Sequence, residues 1–208
     1  MVVQNDGNLV IYVNGAVLNP SGATWSSNSV LNRIEDYEWQ QGQDTVEMMD
    51  VNTGFCFLSA VRGKFRGSGE EVWIRQNNNR WILGGDSGQK DVLAAARCVT
   101  YAAFPDITFD RFYLGIVEGD KNRPGQQEMG AQSICFLTGL SGKFQGGREA
   151  VMVSRVSNGT FYGAAYSGQG YIRGEFGCFD CLGANGNLIR NARMSFDSET
   201  PNLVQGRG

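Results

Sequence analysis

Five side chains near the start of the chain combine the functional groups that binding of a sugar ring requires. Gln4, Asp6, Asn8, Val10 and Tyr12 occupy every second position of one nine-residue run. Successive side chains of a β-strand point to opposite faces, so these five would share one face, with apolar residues behind it. A carboxylate, two amides, a phenol and an aliphatic group match the hydroxyls and the C–H patch of a hexose. The run therefore indicates binding chemistry without a nucleophile.

The run resembles the Q-x-D-x-N-x-V-x-Y signature of the bulb-type mannose-binding lectins. Residues 23–28 resemble the A-x-W-x-S-N that follows the signature in those proteins. The resemblance implies that Gln4, Asp6, Asn8 and Tyr12 bond sugar hydroxyls and that Val10 packs on the sugar. It also implies a β-prism, with the tryptophan of the second run in its core. The other explanation is an alternating edge strand whose polar face is only solvated.

Only one such segment occurs, whereas a bulb-lectin domain normally has three that close into a prism. Residues 186–189 repeat part of the run, but Arg190 and Asn191 break it. One segment alone buries too little apolar surface to fold independently. The chain is then a fragment, or the segment docks on its neighbour, or three chains each supply a third of one prism. We favour the third explanation, which predicts a homotrimer.

Composition excludes several classes of partner. The net charge is -3 and no run of basic residues occurs, so we expect no nucleic-acid partner. No apolar stretch is long enough to span a bilayer, and residues 1–15 lack the pattern of a signal peptide, so export would be encoded elsewhere. With 29 glycines and only 4 prolines, the chain has the turn content of an all-β protein.

The rest of the chain is a tandem repeat. Residues 56–67, CFLSAVRGKFRG, align with residues 135–146, CFLTGLSGKFQG, and the register continues through Glu70 and Glu149. Each copy is a series of short strands joined by turns, which predicts an antiparallel sandwich or a small barrel. We divide the chain into a lectin-type segment at 1–34 and two β modules at 35–118 and 119–208. The module pattern resembles modules of phage tail fibres and bacterial surface proteins.

Local signals mark the turns and strands within the modules. Asn158-Gly159 is a strong two-residue hairpin signal, and residues 77–79 fill the same place in the first copy. Residues 91–97 contain three consecutive alanines and are the only short helix candidate, but the glycine-rich counterpart at 170–177 favours a strand or loop.

The cysteines are equivalent in the two copies. Cys56 with Cys98, and Cys135 with Cys178, are either two homologous disulfides or reduced, buried side chains. Cys181 is odd by count. The chain has 0 histidines, and no four-ligand zinc set can be assembled, so we expect no metal and no cofactor.

Catalysis is not expected. Without histidine the commonest general base is missing, and the repeated acids Glu70 and Glu149 suit turn or salt-bridge roles better than a glycosidase pair. Aromatic side chains of the modules either stack on sugar rings or, more in keeping with alternating strands, fill the core. They are Trp73, Trp81, Phe161, Tyr162 and Tyr166.

Together these features predict a non-catalytic, lectin-like attachment protein outside the cell or on a virion surface. Its partner would be a mannose-type glycan or a bacterial surface polysaccharide, and it would form the receptor-binding end of a phage or bacteriocin-like fibre. The alternative is a structural or trimerisation protein with a vestigial lectin segment.

Overall fold

The computed structural model confirms the expected all-β class, and the prism and the sandwich or barrel arrangement of the modules stay predictions. In the described part of the chain the only helical element is the 3-10 turn Tyr101–Ala103. For residues 2–3, 9–11, 25–26 and 195–196 the description is of the backbone alone. The described residues are 2–3, 9–11, 25–26, 34–67, 69–88, 91–103, 107–130, 134–144, 149–156, 160–168, 170–188 and 195–196.

The two ends of the chain meet in one small sheet. Its order is β16-β1-β2-β3, in which β1 pairs parallel with β16 and antiparallel with β2. Its strands are β1 (Val2–Val3), β2 (Leu9–Ile11), β3 (Trp25–Ser26) and β16 (Ser195–Phe196).

The first copy folds into six strands. They are β4 (Ile34–Gln40), β5 (Val46–Asp50), β6 (Gly54–Arg62), β7 (Glu71–Asn77), β8 (Arg80–Asp86) and β9 (Leu93–Thr100). Strands β4, β9 and β6 form one three-stranded sheet, while β5, β8 and β7 pair in that order in another. Residues 91–97, the one helix candidate, mostly lie in β9, which agrees with the strand or loop that the repeat favours.

The second copy repeats this order. Its strands are β10 (Ile107–Gly119), β11 (Gly125–Gly130), β12 (Ile134–Gly142), β13 (Ala150–Arg155), β14 (Phe161–Tyr166) and β15 (Ile172–Gly183). Strand β10 takes the place of β4, because β10-β15-β12 matches β4-β9-β6 and β11-β14-β13 matches β5-β8-β7. Strand pairing thus groups β10 with the second copy, although all of it except Gly119 lies before the predicted boundary at residue 119.

The copies join edge to edge. Three residue pairs link β12 to β7 and fuse two half-modules into the six-stranded sheet β10-β15-β12-β7-β8-β5, here called the junction sheet. Beside this pairing, the Phe144 N–H donates to the Phe65 carbonyl at 2.8 Å. The rings of Phe65 and Phe144, equivalent residues of the two GKF motifs, meet edge to face at 5.9 Å.

Aromatic side chains from both copies share the larger core. Phe55, which is 0% exposed, stacks on Phe136 of the second copy with ring centroids 5.4 Å apart. Phe179 of β15 lies 5.5 Å from Phe55, and Phe112 of β10 meets Trp81 edge to face at 5.4 Å. A smaller cluster around Phe176 belongs to the second copy alone. The two copies therefore share apolar packing as well as a sheet.

The hairpin prediction for the first copy is confirmed. Asn78 and Asn79 have φ of 48° and 61° between β7 and β8, the left-handed conformation that two-residue hairpin turns require and that asparagine tolerates. The Asn158-Gly159 signal lies outside the described residues, between the paired residues Arg155 and Phe161.

Tyr101 makes the core sensitive to alkali. Its ring lies 5.0 Å from Phe109, and burial first, then the electrostatic interaction with Cys181, raises the pKa of Tyr101 from 10.0 to about 12. Because the folded-state pKa lies above the unfolded value, the contribution of Tyr101 to stability is complete below pH 10 and is lost as pH rises towards 12. We expect the urea midpoint of Tyr101→Phe to fall less than that of the wild type over this range. An equal fall of the urea midpoint with pH in the variant and the wild type would contradict the role assigned to Tyr101.

Candidate functional site

The lectin-type segment contains a strand at its centre. Val10 lies in β2, opposite Val2 of β1 and Ser26 of β3, so β2 is paired on both sides. This backbone conformation is the one that the alternation argument requires. Four of the five predicted sugar-binding residues lie outside the described residues: Gln4, Asp6, Asn8 and Tyr12.

The structure joins the cysteines in equivalent pairs. Cys56 and Cys98 are direct cross-strand neighbours on β6 and β9 with Cα atoms 4.0 Å apart, and they form a disulfide. Cys135 and Cys178 form the equivalent disulfide on β12 and β15, with Cα atoms 4.1 Å apart. Cys181 is buried as a thiol. The cysteines are thus structural, each disulfide linking the third and sixth strands of one copy.

One face of the junction sheet carries a second set of residues suited to binding. Directly paired residues of antiparallel strands point to the same side of a sheet. Residue pairing therefore places one row of five side chains across five strands of both copies. In order from β8 to β10 they are Gly84, Trp73, Gly139, Glu175 and Ile116. We call the surface formed by this row and its immediate neighbours the open face.

Trp73 is the centre of the open face. It is partly exposed and has a glycine beside it on each neighbouring strand. A Cβ at Gly84 would lie 2.9 Å from the indole ring, and a Cβ at Gly139 would lie 3.3 Å from the Glu175 side chain. The missing Cβ at Gly84 lets the indole lean across β8. The Arg75 guanidinium lies 4.5 Å from the ring centroid.

Charged side chains beside Trp73 hold one another in place. Glu175, only 16% exposed, accepts from Arg173 at 2.8 Å and lies 3.5 Å from Arg75. Arg75 also lies 3.8 Å from Glu71. These contacts connect β7 of the first copy to β15 of the second. The open face therefore presents an aromatic ring beside fixed donors and acceptors, a combination typical of polar ligand recognition.

The far side of the open face continues in the second copy. The Tyr171 hydroxyl donates to Glu118 at 2.7 Å, and Glu118 pairs with Arg173 across β10 and β15. Burial, followed by the hydrogen bond to Glu118, raises the pKa of Tyr171, so this phenol stays neutral and can donate. Ile116 is 47% exposed and gives this end an apolar patch.

The other candidates have structural surroundings. Glu70 is 4% exposed and accepts a hydrogen bond from the backbone N–H of Gly67, which fits the expected turn role. Trp81 is 1% exposed, and its indole donates to the Gly54 carbonyl at 2.8 Å, so it belongs to the core. Tyr166 is exposed on β14.

The described ranges contain neither a metal-binding cluster nor a membrane-spanning helix. No three metal-binding side chains among them are grouped as a metal site requires. None of the helical residues they contain forms an apolar helix long enough to cross a membrane.

The sequence identified Trp73 only as one aromatic residue among several. Nothing in the order of residues places Gly139 and Glu175 beside it, because the junction pairing sets their position. Gly84, the fifth residue of β8, was the one available signal, since it removes the Cβ that an overlying ring would meet.

No protein-family model, curated protein or solved structure matches this chain.

Proposed function

We propose that this chain is a non-catalytic carbohydrate-binding protein that attaches to a mannose-type glycan or a bacterial surface polysaccharide. The observation that carries the proposal is the five-residue lectin signature, whose Val10 lies in a strand paired on both sides. Amide, acid and phenol groups at every second position of such a strand reach the hydroxyls of one sugar together.

The open face supports the same class of ligand. Trp73 offers an aromatic surface for the C–H side of a sugar ring, and the ion-paired Arg75 and Glu175 offer hydrogen-bonding groups beside it. A second binding surface on the modules would add to the affinity of the N-terminal segment.

The proposal includes several sites acting together. A single sugar site binds weakly, with a Kd on the order of 1 mM, so attachment needs more than one site engaged at once. A homotrimer, in which three N-terminal segments close one prism, would supply them. Such a particle suits the receptor-binding end of a phage or bacteriocin-like fibre, outside the cell or on a virion surface.

A structural or assembly protein is the second candidate, and one observation favours it. Strand β13 is an uncharged, apolar edge up to Arg155, and its Met152 is 44% exposed. Such edges favour pairing with another strand. In this case the lectin segment would only close a contact between chains, and no sugar would bind.

A glycan array separates the two candidates. We expect the wild type to bind mannose-containing or lipopolysaccharide glycans. The double variant Asp6→Ala/Asn8→Ala should lose about tenfold or more of that signal. The reason is that each lost hydrogen bond to a charged or polar group costs about 1 kcal/mol or more. Asp44→Ala/Asn77→Ala removes the same groups from exposed positions of the first copy and should bind as the wild type does.

The array outcomes are distinct. Loss of binding in Trp73→Ala alone would move the principal site to the open face. Silence of the wild type across all glycans would favour the assembly protein. Equal binding by Asp6→Ala/Asn8→Ala and the wild type would remove the lectin segment from the account.

A further inference from the structure

The two copies contact each other through one pair of strand edges, and the equivalent pair of edges is left over. Three residue pairs make this contact, Gly139 with Trp73, Leu140 with Val72 and Ser141 with Glu71. It joins the third strand of the second copy to the fourth strand of the first. The third strand of the first copy, β6, and the fourth strand of the second copy, β13, offer the equivalent edges.

Those equivalent edges are unpaired in the described part of the chain. Strand β6 pairs only with β9, and β13 only with β14. Ala60 and Arg62 are exposed, whereas their counterparts in β12, Gly139 and Ser141, are covered by β7. The edges of β12 and β7 are therefore paired with each other, while the equivalent edges of β6 and β13 have no partner strand among the described residues.

Strand β6 has the same local backbone features as β12, the strand that makes the contact in the second copy. Both third strands have a bulge at the same place, between Leu58 and Ala60 in β6 and between Leu137 and Gly139 in β12. The equivalent glycines at the ends of these strands, Gly63 directly after β6 and Gly142 as the last residue of β12, both have positive φ, 129° and 110°. Since β6 has the same bulge and the same glycine conformation after it as β12, its last residues are placed to receive a partner strand.

Strand β13 is the complementary edge. From Ala150 to Ser154 it has no charged residue and no proline, the two devices that protect an edge from pairing. Val151 is partly exposed, although its counterpart in the paired strand β7, Val72, is fully buried, and the neighbouring Met152 is 44% exposed. The unused edge therefore leaves apolar surface in water.

We propose that β13 of one chain pairs with β6 of a second copy of this chain, repeating the β7–β12 contact between molecules. In the same register Ala60 lies opposite Met152, Val61 opposite Val151 and Arg62 opposite Ala150. Each chain has one edge of each kind, so the contact closes into a ring or a reciprocal dimer, or continues as a filament. The contact does not rest on sugar binding or on a shared prism.

A charge exchange at one pair tests the contact and its register together. Like charges directly opposite destabilise a pair of strands, so Ala60→Lys/Met152→Lys should raise the dissociation constant of the assembly by about tenfold or more. Ala60→Lys/Met152→Glu places opposite charges there and should restore the wild-type mass. Sedimentation velocity at micromolar concentrations gives the mass of each, and circular dichroism checks folding.

The matched control adds two lysines at other exposed positions. Thr108→Lys/Asn77→Lys should keep the wild-type mass. A monomeric wild type, an assembly indifferent to Ala60→Lys/Met152→Lys, or a Lys/Glu variant that stays dissociated would each overturn the proposal. If the charge variants change stability while the wild type is a monomer, the two edges pair within one chain, which overturns it as well.

Discussion

Phe55→Ala is expected to lower the free energy of unfolding by about 3–5 kcal/mol, the cost of removing a fully buried phenyl ring and leaving a cavity. Phe55 is 0% exposed, and its ring centroid lies within 6.4 Å of five other aromatic rings. Three of those rings, Phe109, Phe136 and Phe179, belong to the second copy. The loss should therefore destabilise both copies in one transition.

Urea unfolding followed by tryptophan fluorescence and by circular dichroism measures this effect. Tyr166→Ala is the control, because it removes an aromatic ring that is 39% exposed and should change stability little. If Phe55→Ala unfolds in two steps, with the second copy as stable as before, the shared core is wrong. A loss as small as that of Tyr166→Ala would also contradict it.

Removal of one disulfide is expected to cost nearly as much. Cys56→Ala/Cys98→Ala opens a loop with a sequence separation of 42, and loop entropy predicts a loss of about 4 kcal/mol for loops of this length. The second copy provides a matched comparison, since Cys135 and Cys178 are separated by 43 residues. The loop-entropy account predicts nearly equal losses for the two double variants.

The same urea titrations under non-reducing conditions check this expectation. Addition of a reductant to the wild type should lower stability further than either variant alone, because both loops then open. Losses well below 2 kcal/mol in both variants would mean that the bonds add little to cross-strand packing, and strongly unequal losses would contradict the loop-entropy explanation.

Much of the fold within each copy could be predicted from the sequence, because it depends on local interactions. Repeated cysteines mark equivalent strands, and the disulfides join the predicted partners. Asparagines at 78 and 79 accept positive φ, so the hairpin that joins β7 to β8 follows from residue type. In β7, alternation of apolar residues at Val72 and Ile74 with polar or partly exposed neighbours then specifies which face lies in the core.

The arrangement of the two copies could not be predicted from the sequence, because it depends on contacts between residues far apart in the chain. Residues Gly139 to Ser141 look like any strand, yet they pair with β7 of the first copy as well as with β15 of their own. The predicted division at residues 118 and 119 leaves nearly all of β10 in the first copy, but its pairing with β15 groups it with the second.

The candidate sites divide in the same way. The lectin signature is local and can be recognised from spacing alone. The open face brings Trp73 of one copy beside Glu175 of the other, and the spacing of these residues in the sequence does not predict that they are neighbours.

The most direct test of the central claim is a titration of the full chain with a methyl mannoside, observed by saturation-transfer NMR. We expect saturable binding with a Kd on the order of 1 mM, and we expect it to be lost when Asp6 and Asn8 are both changed to alanine. Absence of transfer to mannose and to every other saccharide tried would contradict it.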